Sequence, residues 1–215
     1  MRKWIPFLIV IAAITASAVV YPKLPETMAT HWDMDGQANG WSSRFVGAFI
    51  TPLLMLAVWG FLRVLPAIDP RGSNYLKFGD AFQAIVVSIM FFLLAMHIFI
   101  LRAALGYPVA LQRGVPLGIG VLLVVIGNLL PRARPNWFLG IRTPWTLSSD
   151  RVWEKTHRAG GQMFVGGGIL IILAAIVIPQ WAHFVLITVV VACSLGAAIY
   201  SYVEWKREQT PASAG

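Results

Sequence analysis

Six apolar stretches alternate with polar segments along this 215-residue chain. They cover residues 4–20, 46–65, 81–101, 115–130, 162–178 and 182–203. A helix needs roughly 20 apolar residues to cross a hydrocarbon core of about 30 Å, and most of these stretches approach that length. The pattern predicts an all-α polytopic membrane protein with six transmembrane helices. The fourth stretch is the shortest, so we expect Asn128 and the segment after it to lie in the headgroup layer.

Composition supports a membrane protein independently. Hydrophobic residues make up 58% of the chain and charged residues 12%, whereas soluble domains carry about 25% charged residues. The net charge of +8 does not indicate direct nucleic-acid binding, because most cations flank apolar stretches, where they set membrane orientation. The single cysteine, Cys193, lies within an apolar stretch, which excludes a disulfide framework.

The distribution of Lys and Arg predicts that both termini lie in the cytoplasm. In that orientation the inner segments hold Arg2, Lys3, Arg63, Arg71, Lys77, Arg132, Arg134, Arg142, Arg151, Lys155, Arg158, Lys206 and Arg207. The outer segments hold Lys23, Arg44, Arg102 and Arg113. Because cations concentrate on the cytoplasmic side, residues 21–45 are expected outside and residues 131–160 inside. The N-terminal stretch is also typical of a signal peptide, but the spans that follow favour an uncleaved anchor helix.

The chain divides into two halves with the same layout. Residues 1–104 form a three-helix membrane module with an outer loop at 21–45, and residues 105–215 form a second module with a cytoplasmic loop at 131–160. Three spans is an odd number, so the two long loops fall on opposite membrane faces, as in an inverted three-plus-three repeat. The loops share little beyond Pro, Gly and Trp, so the repeat is a hypothesis that superposition of the halves tests.

The outer loop carries His31, Asp33 and Asp35 between two tryptophans, Trp32 and Trp41. Three interpretations stay open. Imidazole and carboxylate groups are ordinary ligands of a divalent metal; the tryptophans suit recognition of a peptide or lipid; and Asp beside Gly is typical of a hydrogen-bonded turn. The sequence does not choose among them.

The central loop combines tryptophans with fixed cations, which suits a membrane–water interface. We interpret Arg142 and Trp145 as a binding pair, with Thr143 and the following proline fixing a turn that aims the arginine. Asn128 and Asn136 are candidates for capping exposed backbone groups. Asp150 is expected to pair with a neighbouring arginine, Arg151 or Arg158.

Two features inside the spans bear on packing. His97 in the third stretch is a functional candidate because ionisable groups are costly in a membrane, but its place near the end of the span favours a hydrogen-bonded packing residue. Gly166, Gly167 and Gly168 in the fifth stretch are expected to allow close approach of another helix.

Two motifs resemble known families. The central motif resembles the signature of the SdpI family, bacterial membrane proteins named for an immunity protein against a secreted peptide toxin. It consists of Gly127-Asn128, Pro135-Asn136, the run Gly140 to Leu147, Trp153, Thr156-His157 and Gly160. The outer motif is similar to a small membrane module of unknown function that often precedes the SdpI part. It consists of Leu24-Pro25, Thr30-His31-Trp32, Gly36 and Gly40-Trp41.

The resemblance implies a non-enzymatic immunity or signalling protein of the bacterial cytoplasmic membrane. Trp41 and its loop would meet a secreted peptide outside, and the central loop would hold a transcriptional repressor inside. Arg142 and Arg158 would supply charge-assisted bonds, and Trp145 and Trp153 would act as anchors.

Two alternatives remain. One is a membrane enzyme or transporter with a metal or acid–base site at His31, Asp33 and Asp35, in which Arg142 and His157 handle a lipid phosphate. The other is a non-catalytic protein that binds membrane lipid. The sequence shows no set of nucleophile, base and orienting group, so neither catalysis nor a cofactor is expected. The oligomeric state stays open.

Overall fold

The structure is a computed structural model that describes residues 4–210. Six long helices and one short helix form it: α1 Ile5–Val20, α2 Arg44–Ile68, α3 Gly79–Ala104, α4 Leu111–Leu129, α5 Pro144–Ser148, α6 Asp150–Val177 and α7 Ala182–Gln209. Within the described residues the six long helices have the length and composition to cross a membrane. The six-span prediction is confirmed. Arg2 and Lys3, used in the orientation argument, lie outside the described residues.

Helices α2, α3, α4, α6 and α7 all extend beyond the predicted spans, and the extensions of α4 and α6 change two expectations. α4 begins at Leu111 instead of residue 115, and a 3₁₀ turn at Leu130–Arg132 continues it. The combined span of 22 residues is about 33 Å long, so the prediction of a short fourth helix is wrong. α6 begins at Asp150 instead of residue 162, because the Ser149 side chain caps it by accepting a hydrogen bond from the Val152 N–H, 3.2 Å away. Much of the predicted central loop is therefore helix.

The first long loop folds into an antiparallel hairpin of β1 (Thr27–Trp32) and β2 (Ala38–Ser43), which the sequence analysis did not predict. Met28 on β1 is buried against Leu24, Ala48 and Leu101, and this contact seats the hairpin on the ends of α2 and α3. Gly47 allows it, because a Cβ there would lie 2.8 Å from the Met28 Cβ.

The chain order places the polar segments at two ends of the helix bundle. The hairpin end comprises β1, β2, the turn at 105–110 and the 3₁₀ turn Pro179–Trp181. The motif end comprises the connector at 69–78, the segment at 130–149 and the last turns of α7. α1 begins and α7 finishes at the motif end. Which end faces the cytoplasm stays a prediction from the cations, and the repeat stays a hypothesis.

The second half is held together by glycines between α4 and α6. A Cβ on Gly168 would lie 2.6 Å from the Gly120 carbonyl oxygen, and one on Gly161 would lie 2.6 Å from the Gly127 carbonyl oxygen. Contacts seven residues apart on both helices are typical of the shallow crossing of coiled-coil-like pairs. The close approach predicted at Gly168 is confirmed, whereas Gly166 faces open space.

The first half is held together by a polar contact inside the bundle. The Ser17 hydroxyl donates to the Ala48 carbonyl oxygen at 2.6 Å and lies 2.8 Å from His97 Nε2. Because the Ser17 hydroxyl hydrogen is used in the bond to Ala48, His97 Nε2 carries the ring proton and donates to the Ser17 oxygen. His97 is fully buried and joins α1 to α3, which confirms the packing interpretation.

The glycine contacts generate a first prediction. Replacing Gly168 with Ala forces α4 and α6 apart, and we expect it to lower the free energy of unfolding by about 1–3 kcal/mol. Gly166→Ala is the matched control two residues away: it meets no atom within 4 Å and gains helix propensity. Thermal unfolding in detergent measures both. A Gly168→Ala protein as stable as Gly166→Ala would show that the close contact does not matter.

Candidate functional site

The central segment folds around Asn136, whose side chain is fully buried. Its Nδ2 donates to the carbonyl oxygens of Arg134 and Leu139, both at 2.9 Å. Its Oδ1 accepts from the backbone N–H groups of Phe138 and Leu139 at 3.0 and 2.7 Å. One side chain thus satisfies backbone groups that no helix or strand pairs.

A carboxylate from the other half of the chain completes this turn. Asp69, at the end of α2, accepts from the Trp137 N–H at 2.9 Å and from the Arg71 N–H at 2.7 Å. The Tyr75 hydroxyl lies 3.1 Å from Asp69 Oδ2, to which it donates, and 3.3 Å from Asn136 Oδ1. Burial and the Asp69 carboxylate raise the pKa of Tyr75, so its hydroxyl keeps its proton at physiological pH.

Sequence reasoning missed Asp69 and Tyr75. The segment that contains them joins two apolar stretches and carries no motif, and the one unusual signal in it is an aromatic side chain directly after the polar residues Ser73 and Asn74. Arg71 adds a second link between the halves, because it forms an ion pair with Asp150 at 2.8 Å. The predicted pairing of Asp150 with Arg151 or Arg158 is therefore wrong.

Trp153 and His157 lie on the first turns of α6 and are fully buried. Their rings stack with centroids 4.0 Å apart, and the indole N–H donates to the Ala133 carbonyl oxygen at 2.9 Å. His157 Nδ1 lies 2.8 Å from the Trp153 carbonyl oxygen, and Nε2 accepts from the Ile141 N–H at 3.0 Å. The ring is therefore neutral, with its proton on Nδ1.

Gly140 is required beside this ring. Its φ is +114°, and a Cβ there would lie 2.3 Å from His157 Nε2. Both the backbone conformation and the space are available only to glycine. The chain passes directly over the histidine, and this approach places Ile141 for its hydrogen bond.

The Thr143-Pro144 pair starts α5 with a capping box. Thr143 Oγ1 accepts from the Thr146 N–H at 3.2 Å, and the Thr143 N–H donates to Thr146 Oγ1 at 2.9 Å. Pro144 takes the first helical position, where a missing N–H is tolerated. Thr143 Oγ1 also lies 2.9 Å from Ser201 Oγ, so the segment is tied to α7 as well as to α6.

Arg142 and Trp145 face different neighbours. The exposed Arg142 guanidinium donates to the Trp137 carbonyl oxygen at 2.7 Å. It forms no ion pair with another described residue. The Trp145 ring packs on Tyr202 of α7, with centroids 5.1 Å apart. That they form one binding pair stays a prediction.

A buried carboxylate sits between α6 and α7. Glu204 is only 5% exposed, and it forms ion pairs with Lys155 at 2.6 Å and Arg207 at 2.9 Å. The sequence analysis gave no role to Glu204. Its single negative charge offsets part of the charge of these two cations, whereas Arg142 and Arg158 form no ion pair with a described residue.

Asn128 and Arg158 come together at a cleft of about 460 Å³ on the outside of the α4–α6 pair. Both side chains are exposed. Gly127 and Gly161, whose backbones pack against each other, form part of the cleft wall. Asn128 Nδ2 donates to the Val124 carbonyl oxygen at 2.9 Å, which leaves its Oδ1 available as an acceptor beside the Arg158 guanidinium, a donor, in the lining of the cleft.

At the hairpin end, the predicted metal group is not assembled. His31 Nδ1 is hydrogen-bonded to Asn39 Oδ1, and Asp33 Oδ1 accepts from the N–H groups of Asp35 and Gln37 at 3.0 and 2.8 Å. In the described part of the chain, no three His, Cys, Asp or Glu side chains form a group that could hold a metal. These contacts form the hydrogen-bonded turn that the sequence analysis weighed. Trp41 is 59% exposed and Trp32 half-buried.

Comparison with known proteins agrees with both motifs. Residues 132–202 match the SdpI/YfhL protein family, and residues 8–56 match a family described as a domain of unknown function. The chain is 25% identical over 206 residues to the "Immunity protein SdpI" of Bacillus subtilis (strain 168), across 96% of this chain and 97% of that protein. The chain thus resembles the SdpI/YfhL protein family over residues 132–202, and it resembles Immunity protein SdpI over nearly its whole length. No solved structure matches it.

This similarity and the six long helices identify a multi-pass protein of the bacterial cytoplasmic membrane. The SdpI motif contains exposed side chains, such as that of Arg142, and side chains whose polar atoms are used inside the protein. Asn136, Thr143, Trp153 and His157 were predicted to bind a ligand or partner, but their polar atoms are used inside the protein. The predicted partner contact of Trp153 and the phosphate contact of His157 are not available in this arrangement.

The two asparagines of the motif generate a second prediction. Asn136→Ala leaves several buried backbone groups without partners, each costing about 1–3 kcal/mol, and we expect thermal unfolding in detergent to show a loss of at least about 2 kcal/mol. Asn128→Ala removes one exposed bond and should leave stability unchanged. Equal stability of the two variants would contradict the structural role of Asn136.

Proposed function

We propose that this chain is an immunity protein that protects its cell from a secreted antimicrobial peptide. The observation that carries the proposal is the length of the match to Immunity protein SdpI. It runs through 96% of this chain and 97% of that protein, so both motif-bearing loops and all six long helices lie in one co-linear comparison. A match confined to the SdpI segment would support only a shared domain.

The hairpin supplies the surface that would meet the peptide. Trp41 is largely exposed on β2, and Trp32 lies at the end of β1. Large aromatic side chains held on a rigid scaffold are effective contacts for peptides. Met28 fixes the hairpin to the bundle, so a bound peptide would act on the helices as well as on the strands.

The motif end supplies a surface for a cytoplasmic partner, which we propose to be a repressor protein. Its exposed cations include Arg142 and Arg158, whose guanidinium groups form no ion pair with a described residue. Guanidinium groups favour planar, bidentate bonds to carboxylates. The partner surface is therefore expected to be acidic.

Helix α4 offers the route from one surface to the other. Near its start, Gln112 Nε2 donates to the Asp35 carbonyl oxygen in the hairpin turn at 2.8 Å. Asn128 lies sixteen residues further along α4, about 24 Å away, in the cleft with Arg158. A peptide that displaces the hairpin would shift α4 and the cleft together. Signalling requires that the two ligands prefer different positions of this helix.

Catalysis is not part of the proposal. The metal or acid–base alternative depended on His31, Asp33 and Asp35, and the Asp33 carboxylate is occupied by backbone N–H groups of the turn. The lipid-binding alternative is compatible with immunity, since any such protein contacts lipid.

The proposal predicts protection of sensitive cells. A Bacillus subtilis strain that lacks its own SdpI is grown in contact with the toxin-producing parent, and survivors are counted with and without this chain. We expect the chain to restore survival and Trp41→Ala to abolish it. Trp181→Ala is the matched control, since Trp181 is 57% exposed at the same end. Failure of the unaltered chain to protect, despite normal amounts in the membrane, would overturn the proposal.

A separate variant tests the motif end. Arg142→Ala is expected to abolish function while leaving membrane insertion intact, because its side chain makes one hydrogen bond to a carbonyl and is otherwise exposed. Arg63→Ala, an exposed cation on α2, is the control. Survival counts and immunoblots of membrane fractions measure function and insertion. If Arg142→Ala protein is absent from the membrane, the residue is structural.

A further inference from the structure

An open groove lies between α3 and α4, the helices that join the two halves inside the membrane. Its volume is about 420 Å³ and its wall is almost wholly apolar. The residues that shape it are Phe92, Ala95 and Phe99 on α3 and Gly114, Gly118 and Val121 on α4. It opens sideways, towards the surface that lipid covers, and belongs to neither site described above.

Glycines on α4 let phenylalanine rings of α3 pack closely along one side of the groove. A Cβ on Gly114 would lie 2.6 Å from the tip of the Phe99 ring, and one on Gly118 would lie 3.1 Å from the Phe92 ring. The phenylalanine rings therefore rest directly on the α4 backbone. A channel remains beside the rings. On its other side, by contrast, α4 contacts α6 closely through glycines.

Two arginines follow the groove residues towards the hairpin end of their helices. On α3 the groove stripe at 92, 95 and 99 continues, with helical spacing, to Arg102. On α4 the stripe at 117, 121 and 125 begins four residues earlier with Arg113. Both side chains are exposed, and neither forms an ion pair within residues 4–210. The Arg102 guanidinium lies 5.2 Å from the centre of the Tyr107 ring, which restricts its position beyond the end of α3.

We propose that this groove binds one phospholipid of the leaflet at the hairpin end, with an acyl chain in the groove and the phosphate between Arg102 and Arg113. From Ser88 to Phe99 the α3 wall is about 16 Å long at 1.5 Å per residue. One leaflet contributes about 15 Å of a 30 Å hydrocarbon core, so an acyl chain fits the wall from headgroup to midplane. The two cations match the phosphate, which accepts charge-assisted hydrogen bonds.

Binding is measured on delipidated protein in detergent by native mass spectrometry. The probes are phosphatidylglycerol, diacylglycerol with the same chains, and inorganic phosphate. We expect one phosphatidylglycerol per chain, diacylglycerol bound at least about tenfold more weakly because it lacks the phosphate, and no retained inorganic phosphate. This pattern requires both the groove and the arginines. Equal binding of diacylglycerol would overturn the phosphate contact, and binding of phosphate alone would overturn the acyl site.

Two matched pairs of variants locate the site. Val121→Trp fills the groove, whereas Val191→Trp places the same ring on α7 at a similar depth and exposure, 49% and 51% for the original valines. Only the first should lose lipid. The double variant Arg102→Gln/Arg113→Gln should bind phosphatidylglycerol no better than diacylglycerol, whereas Lys23→Gln/Arg63→Gln removes the same charge and should bind normally. The arginine pair is exposed, so its result does not depend on core packing.

Three results would overturn the proposal. Equal lipid loss in both tryptophan variants would show a general effect of bulk, and equal loss in both charge variants would show an effect of net charge. A dimer that Val121→Trp dissociates would show that a second copy of the chain covers the groove. The inference does not depend on the immunity function, because lipid binding is measured on the purified protein.

Discussion

Backbone groups outside helices have few partners in and near a bilayer, so the protein itself has to satisfy them. In this chain that requirement is concentrated in the irregular segment between α4 and α5. The buried side-chain amide of Asn136 bonds several of these backbone groups, and the Asp69 carboxylate, from the first half of the chain, bonds another. The positions of Gly140, Arg142 and α5 follow from this closed turn. The candidate partner surface at the motif end therefore depends on Asn136, which is fully buried and is not part of that surface.

The number of membrane spans could be predicted from the sequence because apolar length alone decides it. Helix boundaries could not, because a helix continues into the polar layer wherever a cap and tertiary contacts support it. The Ser149 cap and the buried stack of Trp153 on His157 extend α6 by three turns beyond its apolar part. The hairpin was missed since glycines and prolines in residues 21–45 are typical of irregular loops, whereas its stability comes from burial of Met28.

The candidate site shows the same limit. Tryptophans beside arginines are typical of an exposed interfacial surface, and that pattern suited Trp145 and Arg142. Trp153 has the same local sequence character but is buried, because the Ala133 carbonyl lies within reach of its indole N–H. Only the fold decides which aromatic side chains of such a segment turn inwards. The role of Asp69 could not be predicted for a related reason, because Trp137, whose N–H it accepts, is distant in the sequence.

Helix α4 has two unlike sides, and this asymmetry connects the two proposed binding events. Its α6 side is closed by paired glycines at Gly120–Gly168 and Gly127–Gly161, which favours movement of α4 and α6 as one body. On its α3 side the Phe92 and Phe99 rings contact its backbone, and an open apolar groove lies beside them, where we propose that a lipid binds. The halves are joined by hydrogen bonds at both ends, through Gln112 at one and Asp69 at the other. If a peptide binds the hairpin as proposed, the tight α4–α6 contact beside the open α3–α4 groove would let it move α4 and α6 together against α3. A lipid bound in the groove would then limit that movement.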